Sequence, residues 1–208
     1  AINIPGVDYV DFLVPGIIVQ SLAFGSVSTS VGLAEDLGGG LVDRFRSLPM
    51  SRSAVLAGRA ASDLLRNAFS IVLMLVVGSI IGFRFDASVS DVLAGLGLAL
   101  LFGFALSWVA AFVGLIVKNA EAAQSAAFLW LFPLVFVSST FVPVDTLPSA
   151  LRAVAEHTPV TVTVDALRAL FLGGHVGQAA LLSIAWSVGI TALFGTLSVL
   201  RYRSTASV

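Results

Sequence analysis

Five long apolar runs alternate with short polar stretches along the chain. They fall at 12–34, 67–83, 92–117, 122–142 and 177–200, and none of them contains a charged residue. A helix rises 1.5 Å per residue, so roughly 20 apolar residues cross the roughly 30 Å hydrocarbon layer of a bilayer. Arginine, aspartate and glutamate gather in the gaps instead. The pattern predicts an all-α polytopic membrane helix bundle with five spans, forming one transmembrane domain over 1–208.

Two gaps carry patterns of their own. In 35–52, Leu37, Leu41, Phe45 and Leu48 are spaced 4, 4 and 3, which puts them on one helical face. Glu35 and Asp36 stand at the predicted start and Arg44 and Arg46 near the end, as the helix dipole prefers. Pro49 stops this short amphipathic helix of about 36–48, and Ser51 or Ser53 is placed to cap the next one. Two roles stay open on periodicity alone: lying on lipid headgroups, or docking Phe45 and the leucines into a groove on a soluble partner. The stretch 143–175 predicts two helices too short to span. Pro148 opens the first, which is over by Pro159. Thr163 or Asp165 caps the second, which carries Leu167, Leu170 and Phe171 on one face and ends at Gly173 and Gly174.

Composition removes other classes. The chain is 58% hydrophobic and 11% charged, too little charge to cover a water-soluble surface. Eleven basic and twelve acidic residues give a net charge of −1, which offers no basic field for nucleic acid. There is no cysteine, hence no disulfide or thiolate metal site. The single lysine, Lys118, lacks the glycine pattern of a phosphate-binding loop, so ATP chemistry, if used, comes from another chain. His157 and His175 lie in a loop without a ligand partner at helical spacing and read as ordinary polar residues. Arg168 has Asp165 or Glu156 as ion-pair candidates, or can reach toward headgroups.

The basic residues divide by side. Arg44, Arg46, Arg52, Arg59, Arg66, Lys118, Arg201 and Arg203 share one set of loops; Arg84, Arg152 and Arg168 lie in the other. The bias of positive charge toward the cytoplasm predicts that 35–66, 118–121 and the C-terminus are cytoplasmic, with 1–11 outside. An outside start at Ala1 on an odd number of spans leads to the expectation that the chain is a six-helix protein lacking its first helix.

Within the spans the polar groups are uncharged. Gln20, Ser28, Gln124, Ser138 and Ser139 are candidates for a weakly polar substrate route; hydroxyls and small residues also serve helix packing. Gly25, Gly32, Gly95, Gly97, Gly103 and Gly114 permit close helix approach, and Pro133 is expected to kink the fourth span. Absence of charge in the spans argues against proton- or ion-coupled transport.

The run Asp36-x3-Gly40-x3-Arg44-x-Arg46-x-Leu48-Pro49, followed by Met50-Ser51-Arg52 and Gly58-Arg59, resembles the cytoplasmic loop of type-2 ABC-transporter permeases, most of all the daunorubicin-resistance-like branch. Asp11-Phe12-Leu13-Val14-Pro15-Gly16-Ile17 upstream is similar to the start of the second helix in that family. Phe141-Val142-Pro143, Leu147-Pro148, His157-Thr158-Pro159 and Asp165-Ala166-Leu167-Arg168 resemble its outer segment before the last helix. The three motifs stand in the right order over nearly the whole chain. Leu41 departs from the threonine that many relatives carry after the glycine.

The resemblance implies a non-enzymatic permease of an ATP-driven exporter in the cytoplasmic membrane. Asp36, Gly40, Arg44, Phe45, Arg46, Leu48 and Pro49 would couple to a cytoplasmic ATPase subunit, which holds the ATP and Mg; this chain binds no cofactor. A re-entrant hairpin over 143–175 would close the outer end, with Pro143, Pro159 and Arg168 as gate residues. A second permease copy or paralogue and membrane lipid are the other partners, and a hydrophobic drug or lipid is the expected cargo. An ion-coupled secondary transporter and a membrane-embedded lipid enzyme or scaffold are the alternatives.

Overall fold

A computed structural model describes residues 9–38, 52–141, 152 and 155–205. The described residues form helices α1 (Tyr9–Gly25), α2 (Val27–Gly38), α3 (Arg52–Ile81), α4 (Val89–Ile116), α5 (Ala120–Phe136), α6 (Pro159–Phe171) and α7 (Gly177–Thr205). Four stretches are long and apolar enough to cross a membrane: Tyr9–Gly38, which is α1 and α2 together, Gly58–Ile81, Val89–Ile116 and Gly177–Tyr202. The chain is a polytopic helical membrane bundle.

Helix α4 lies at its centre and packs against α1, α2, α3, α5, α6 and α7. Its sequence is apolar on every side, as expected for a helix with no solvent-facing stripe. Phe102, Ala105, Leu106 and Ala110 are completely or almost completely enclosed. Ser88 caps its start by accepting from the Asp91 amide. Lipid tails are as apolar as leucine, so close packing rather than water exclusion holds such helices together. Glycines supply that packing. A methyl group on Gly114 would stand 2.6 Å from the Ser30 carbonyl oxygen on α2, and methyls on Gly95 and Gly103 would meet Phe171 and Asn67. Gly32 lies against the Arg59 guanidinium, whereas Gly25 and Gly97 have open space. Close approach therefore applies to four of the six expected glycines, and Gly16, packed onto the Thr140 carbonyl, is an addition.

The outer faces of α3, α5 and α7 are apolar and exposed: Leu65, Phe69, Ile80, Leu129, Leu181 and Leu193 are each more than half uncovered. Such contiguous apolar surface fits lipid or another membrane subunit.

Three expectations change. The fourth expected span, 122–142, is a 17-residue helix that stops at Phe136. Pro133 therefore sits in its last turn instead of kinking a longer span, and 137–141 folds irregularly beneath it. The helix of the second span begins at Arg52 rather than 67, so Arg59, Asp63 and Arg66 ride on a continuous helix whose apolar stretch is Gly58–Ile81. Ser53 consequently lies inside that helix and does not cap it. Finally, Glu35 and Asp36 form the last turn of α2 and do not open a separate helix.

Candidate functional site

Polar side chains collect at opposite ends of the bundle. At one end α1 begins, α3 turns into α4, and α5 gives way to α6. Thr158 caps α6 by accepting from the Thr161 amide, and Pro159 fills its first turn, where a missing N–H costs nothing. Thr163 and Asp165, the expected caps, are inside the helix. Leu167, Leu170 and Phe171 are buried as expected. Gly173, at φ +72°, lets the chain turn away, and the Asp86 amide donates to the Phe171 carbonyl at 3.1 Å.

Arg168 ties this end together. Its Nε donates to the Phe12 carbonyl at 3.1 Å, and its Nη2 to the Ser139 carbonyl at 2.8 Å and the Thr140 carbonyl at 3.4 Å. Nη1 meets Asp165 at 3.0 Å and the Ser139 hydroxyl at 3.3 Å. The guanidinium carbon stands 3.5 Å from the centre of the Phe12 ring, a cation–π contact. Burial lowers the Arg168 pKa to about 10 against the raising effects of the Asp165 charge and hydrogen bond, so it is cationic at neutral pH. One side chain thus joins α1, the 137–141 segment and α6. Of the two ion-pair candidates it takes Asp165; Glu156 pairs with Arg152 at 2.7 Å.

Ser138 and Ser139, expected on a substrate route, belong to this buried cluster. The Ser138 hydroxyl donates to the Val135 carbonyl at 2.5 Å and lies 2.7 Å from the Thr140 hydroxyl. Ser139 donates to Asp165 at 2.8 Å, and its amide donates to Thr161 at 3.1 Å. Ser138 satisfies the backbone where α5 ends early, and the Ser139 hydroxyl joins Asp165 and Arg168. Gln20 is half-buried in α1, Gln124 is exposed in α5, and the exposed Ser28 donates to the Gly25 carbonyl at 2.8 Å. Among the described residues no hydrogen bond joins these three to one another or to Ser138 and Ser139.

At the opposite end, α1 breaks at Ser26 before α2, and α3 carries Arg59, Asp63 and Arg66 toward the break. Asp63 is 3% exposed. It accepts from the Thr29 hydroxyl at 2.7 Å and pairs with Arg66 at 2.9 Å. Arg66 also donates to the Gly25 carbonyl at 3.1 Å and to Thr29 at 3.3 Å. Arg59 pairs with Asp36. Sequence reading assigned these charges to a loop; their 4 and 3 spacing, which matches one helical face, was the available signal. Of the expected coupling residues, Asp36 is thus placed, while Gly40, Arg44, Phe45, Arg46, Leu48 and Pro49 lie outside the described residues, as does Pro143.

Between the two ends a row of phenylalanines follows α5. Phe128 and Phe132 are 5.6 Å apart between ring centres, Phe132 and Phe136 stack at 5.5 Å, and Phe136 and Phe141 stand at 6.3 Å. Phe24 of α1 meets Phe128 at 6.1 Å and Phe132 at 5.7 Å. Phe132 and Phe136 are exposed on the bundle surface.

Comparison with known proteins gives a consistent answer. The profile of the family described as "ABC-2 type transporter" matches residues 3–172. The daunorubicin resistance ABC transporter permease protein DrrB1 of Streptomyces coeruleorubidus is 31% identical over 197 residues, covering 95% of this chain and 70% of that protein. The probable doxorubicin resistance ABC transporter permease protein DrrC of Mycobacterium tuberculosis is 24% identical over 201 residues, covering 94% and 70%. The probable multidrug ABC transporter permease YbhS of Escherichia coli K12 is 24% identical over 205 residues, covering 91% and 50%.

Proposed function

The chain belongs to the ABC-2 type transporter family and is the membrane-spanning permease of an ABC exporter, with ATP hydrolysed by a separate subunit; from that premise we propose that its cargo is a hydrophobic drug or lipid-like amphiphile carrying an aromatic system, moved outward across the cytoplasmic membrane. The observation that carries the cargo class is the exposed row Phe132–Phe136 with Phe24 and Phe128 behind it. Stacked aromatic faces accept flat aromatic rings edge-on or offset, and an apolar row offers nothing to a free ion.

Two permeases, as copies or paralogues, face each other, and two ATPase subunits bind beneath them, holding ATP and Mg. The 39–51 segment, between α2 and α3 in sequence, docks the ATPase through Arg44, Phe45, Arg46 and Leu48, and the C-terminus lies on the same cytoplasmic side. Arg168, near the end of the helix that Pro159 opens, closes the outer end by holding α1, 137–141 and α6 together. Access then changes when ATP-driven closure of the ATPases shifts that segment.

The test is reconstitution of the permease with its ATPase subunit in proteoliposomes with doxorubicin as probe. Doxorubicin-stimulated hydrolysis is expected, and Phe132→Ala with Phe136→Ala should raise the half-stimulating concentration. A stable complex with no stimulation by doxorubicin, or stimulation indifferent to both phenylalanines, would overturn the cargo reading.

A further inference from the structure

The 39–51 segment is flanked by α2, which enters it, and α3, which leaves it. On α2, Thr29, Gly32 and Asp36 recur at 3 and 4 positions and share a face; on α3, Arg59, Asp63 and Arg66 do the same. The two faces meet as a polar ladder. Arg59 lies across Gly32 to reach Asp36. Thr29 donates to Asp63 at 2.7 Å, and Arg66 bonds Asp63 at 2.9 Å. The last rung falls on the Gly25 carbonyl, which Arg66 reaches at 3.1 Å. Close backbone packing of α3 is against α1 and α4, so these side chains carry its connection to α2.

The last rung sits at a break in the helix. Helix α1 ends at Gly25, and Ser26 interrupts the helix before Val27. The Ser26 amide is shared between the Leu22 and Ala23 carbonyls, and its hydroxyl donates to Ala23 at 2.7 Å. Beyond the break the neighbouring face of α2 packs on α4 and the end of α7, with Ser30 against Gly114 and Leu33 clustered with Ala111, Leu115 and Tyr202. Helix α2 is therefore a short arm set off from α1 at Ser26 and tied to α3 by the Asp36–Arg59 ion pair and the Thr29–Asp63 hydrogen bond.

We propose that Asp63 and Arg66, with Thr29, are positioning residues for energy coupling: they form the fulcrum through which displacement of the 39–51 segment turns α2 about the Gly25–Ser26 break and moves α3 with it. Arg66 is suited to this because its guanidinium bonds both sides of the break at once, Gly25 before it and Thr29 after it. Asp63 fixes that guanidinium from α3. The proposal rests on the reading that 39–51 docks the ATPase, and its test keeps the two apart.

Thr29→Val is the decisive variant, since it keeps the side-chain shape and leaves Asp63 and Arg66 paired while removing the O–H that binds α2 to Asp63. Thr29→Ser restores that O–H, and Asp63→Asn removes the charge. Each is purified with the ATPase subunit and reconstituted, with doxorubicin as probe; bound ATPase, melting temperature, hydrolysis and efflux are measured together. Thr29→Val and Asp63→Asn should keep the ATPase bound while efflux per ATP hydrolysed falls about tenfold, the scale of coupling between contacting residues. Thr29→Ser should hold that ratio near wild type. A ratio unchanged in Thr29→Val, with hydrolysis and efflux falling only in proportion to folded protein, overturns the fulcrum whatever variants in 39–51 do. Loss of the ATPase from Arg44→Glu/Phe45→Ala reports on docking alone.

Discussion

Replacing Arg168 with methionine tests the outer-end staple, and the structure sets the expected size of the effect. Methionine keeps most of the side-chain volume and removes every donor. Asp165 is tolerant of the loss, because its side chain is 46% exposed and can be hydrated. The backbone is not. The carbonyls of Phe12, Ser139 and Thr140 belong to residues no more than 8% exposed, and each loses an Arg168 donor. An unsatisfied buried acceptor costs about 1–3 kcal/mol, and two of the three count at the low end: the Phe12 carbonyl, which lies inside α1 with an amide four residues on, and the weak 3.4 Å contact at Thr140. Removing a desolvated guanidinium gives part of this back, as replacing buried ion pairs often does. The net expectation is a destabilisation of about 3 kcal/mol. For a chain of this length that lowers the melting temperature by about 6–12 °C. Arg168→Lys keeps a charge but cannot fork to Phe12 and Ser139 together, so it should lose about half as much. The assay is thermal unfolding of the purified protein in detergent, followed by tryptophan fluorescence. A methionine variant that melts within 1–2 °C of wild type, by the same conversion, would show that these carbonyls do not depend on Arg168.

Other consequences are more local. Gly114→Val forces a side chain into the Ser30 carbonyl of α2 and should cost about 1–3 kcal/mol by overpacking, whereas Gly97→Ala, with open space around it, should melt like wild type. Arg44→Glu combined with Phe45→Ala should abolish co-purification of the ATPase subunit; retention of the complex together with transport refutes docking at this segment. The sequence contains no cysteine, so single cysteines report topology cleanly. Lys118→Cys should resist a membrane-impermeant maleimide in intact cells and react after lysis, while Ser90→Cys should react in both, and the reverse pattern would invert the orientation.

The spans were legible because a bilayer imposes a continuous apolar run, and α4 and α7 lie close to where those runs predict them. The ends were not, and each failure has a physical reason. Arg59, Asp63 and Arg66 read as loop charges because charge is expensive in hydrocarbon. In the structure α3 simply continues through them, since the Thr29–Gly32–Asp36 face of α2 satisfies them. Recognising this requires matching two sets of residues on either side of 39–51, which hydropathy along one strand of sequence does not do. The helix end before Ser138 and Ser139 was missed for a different reason. Hydroxyls in an apolar run suggested a route, but Pro133 cannot donate to the preceding turn, α5 stops at Phe136, and the hydroxyls that follow serve freed backbone and Arg168. A proline followed within two turns by Ser138, Ser139 and Thr140 was the signal of a helix end.

The first correction puts charge on a continuing helix at one end of the bundle and the second puts hydroxyls at a helix end at the other, and this bears on mechanism. The centre, around Phe102 and Leu106, is close-packed and apolar, and close-packed interiors are not continuously deformable. Hydrogen-bonded joints can exchange one set of partners for another. Arg66 holds three acceptors on three helices at one joint, and Arg168 holds α1, 137–141 and α6 at the other. Helix α1 runs between them, its Phe12 carbonyl bonded to Arg168 and its Gly25 carbonyl to Arg66. A tilt of α1 therefore strains both joints together. Variants at the two joints should be non-additive in efflux per ATP, and strict additivity between Thr29→Val and Arg168→Lys would mean that α1 does not connect them.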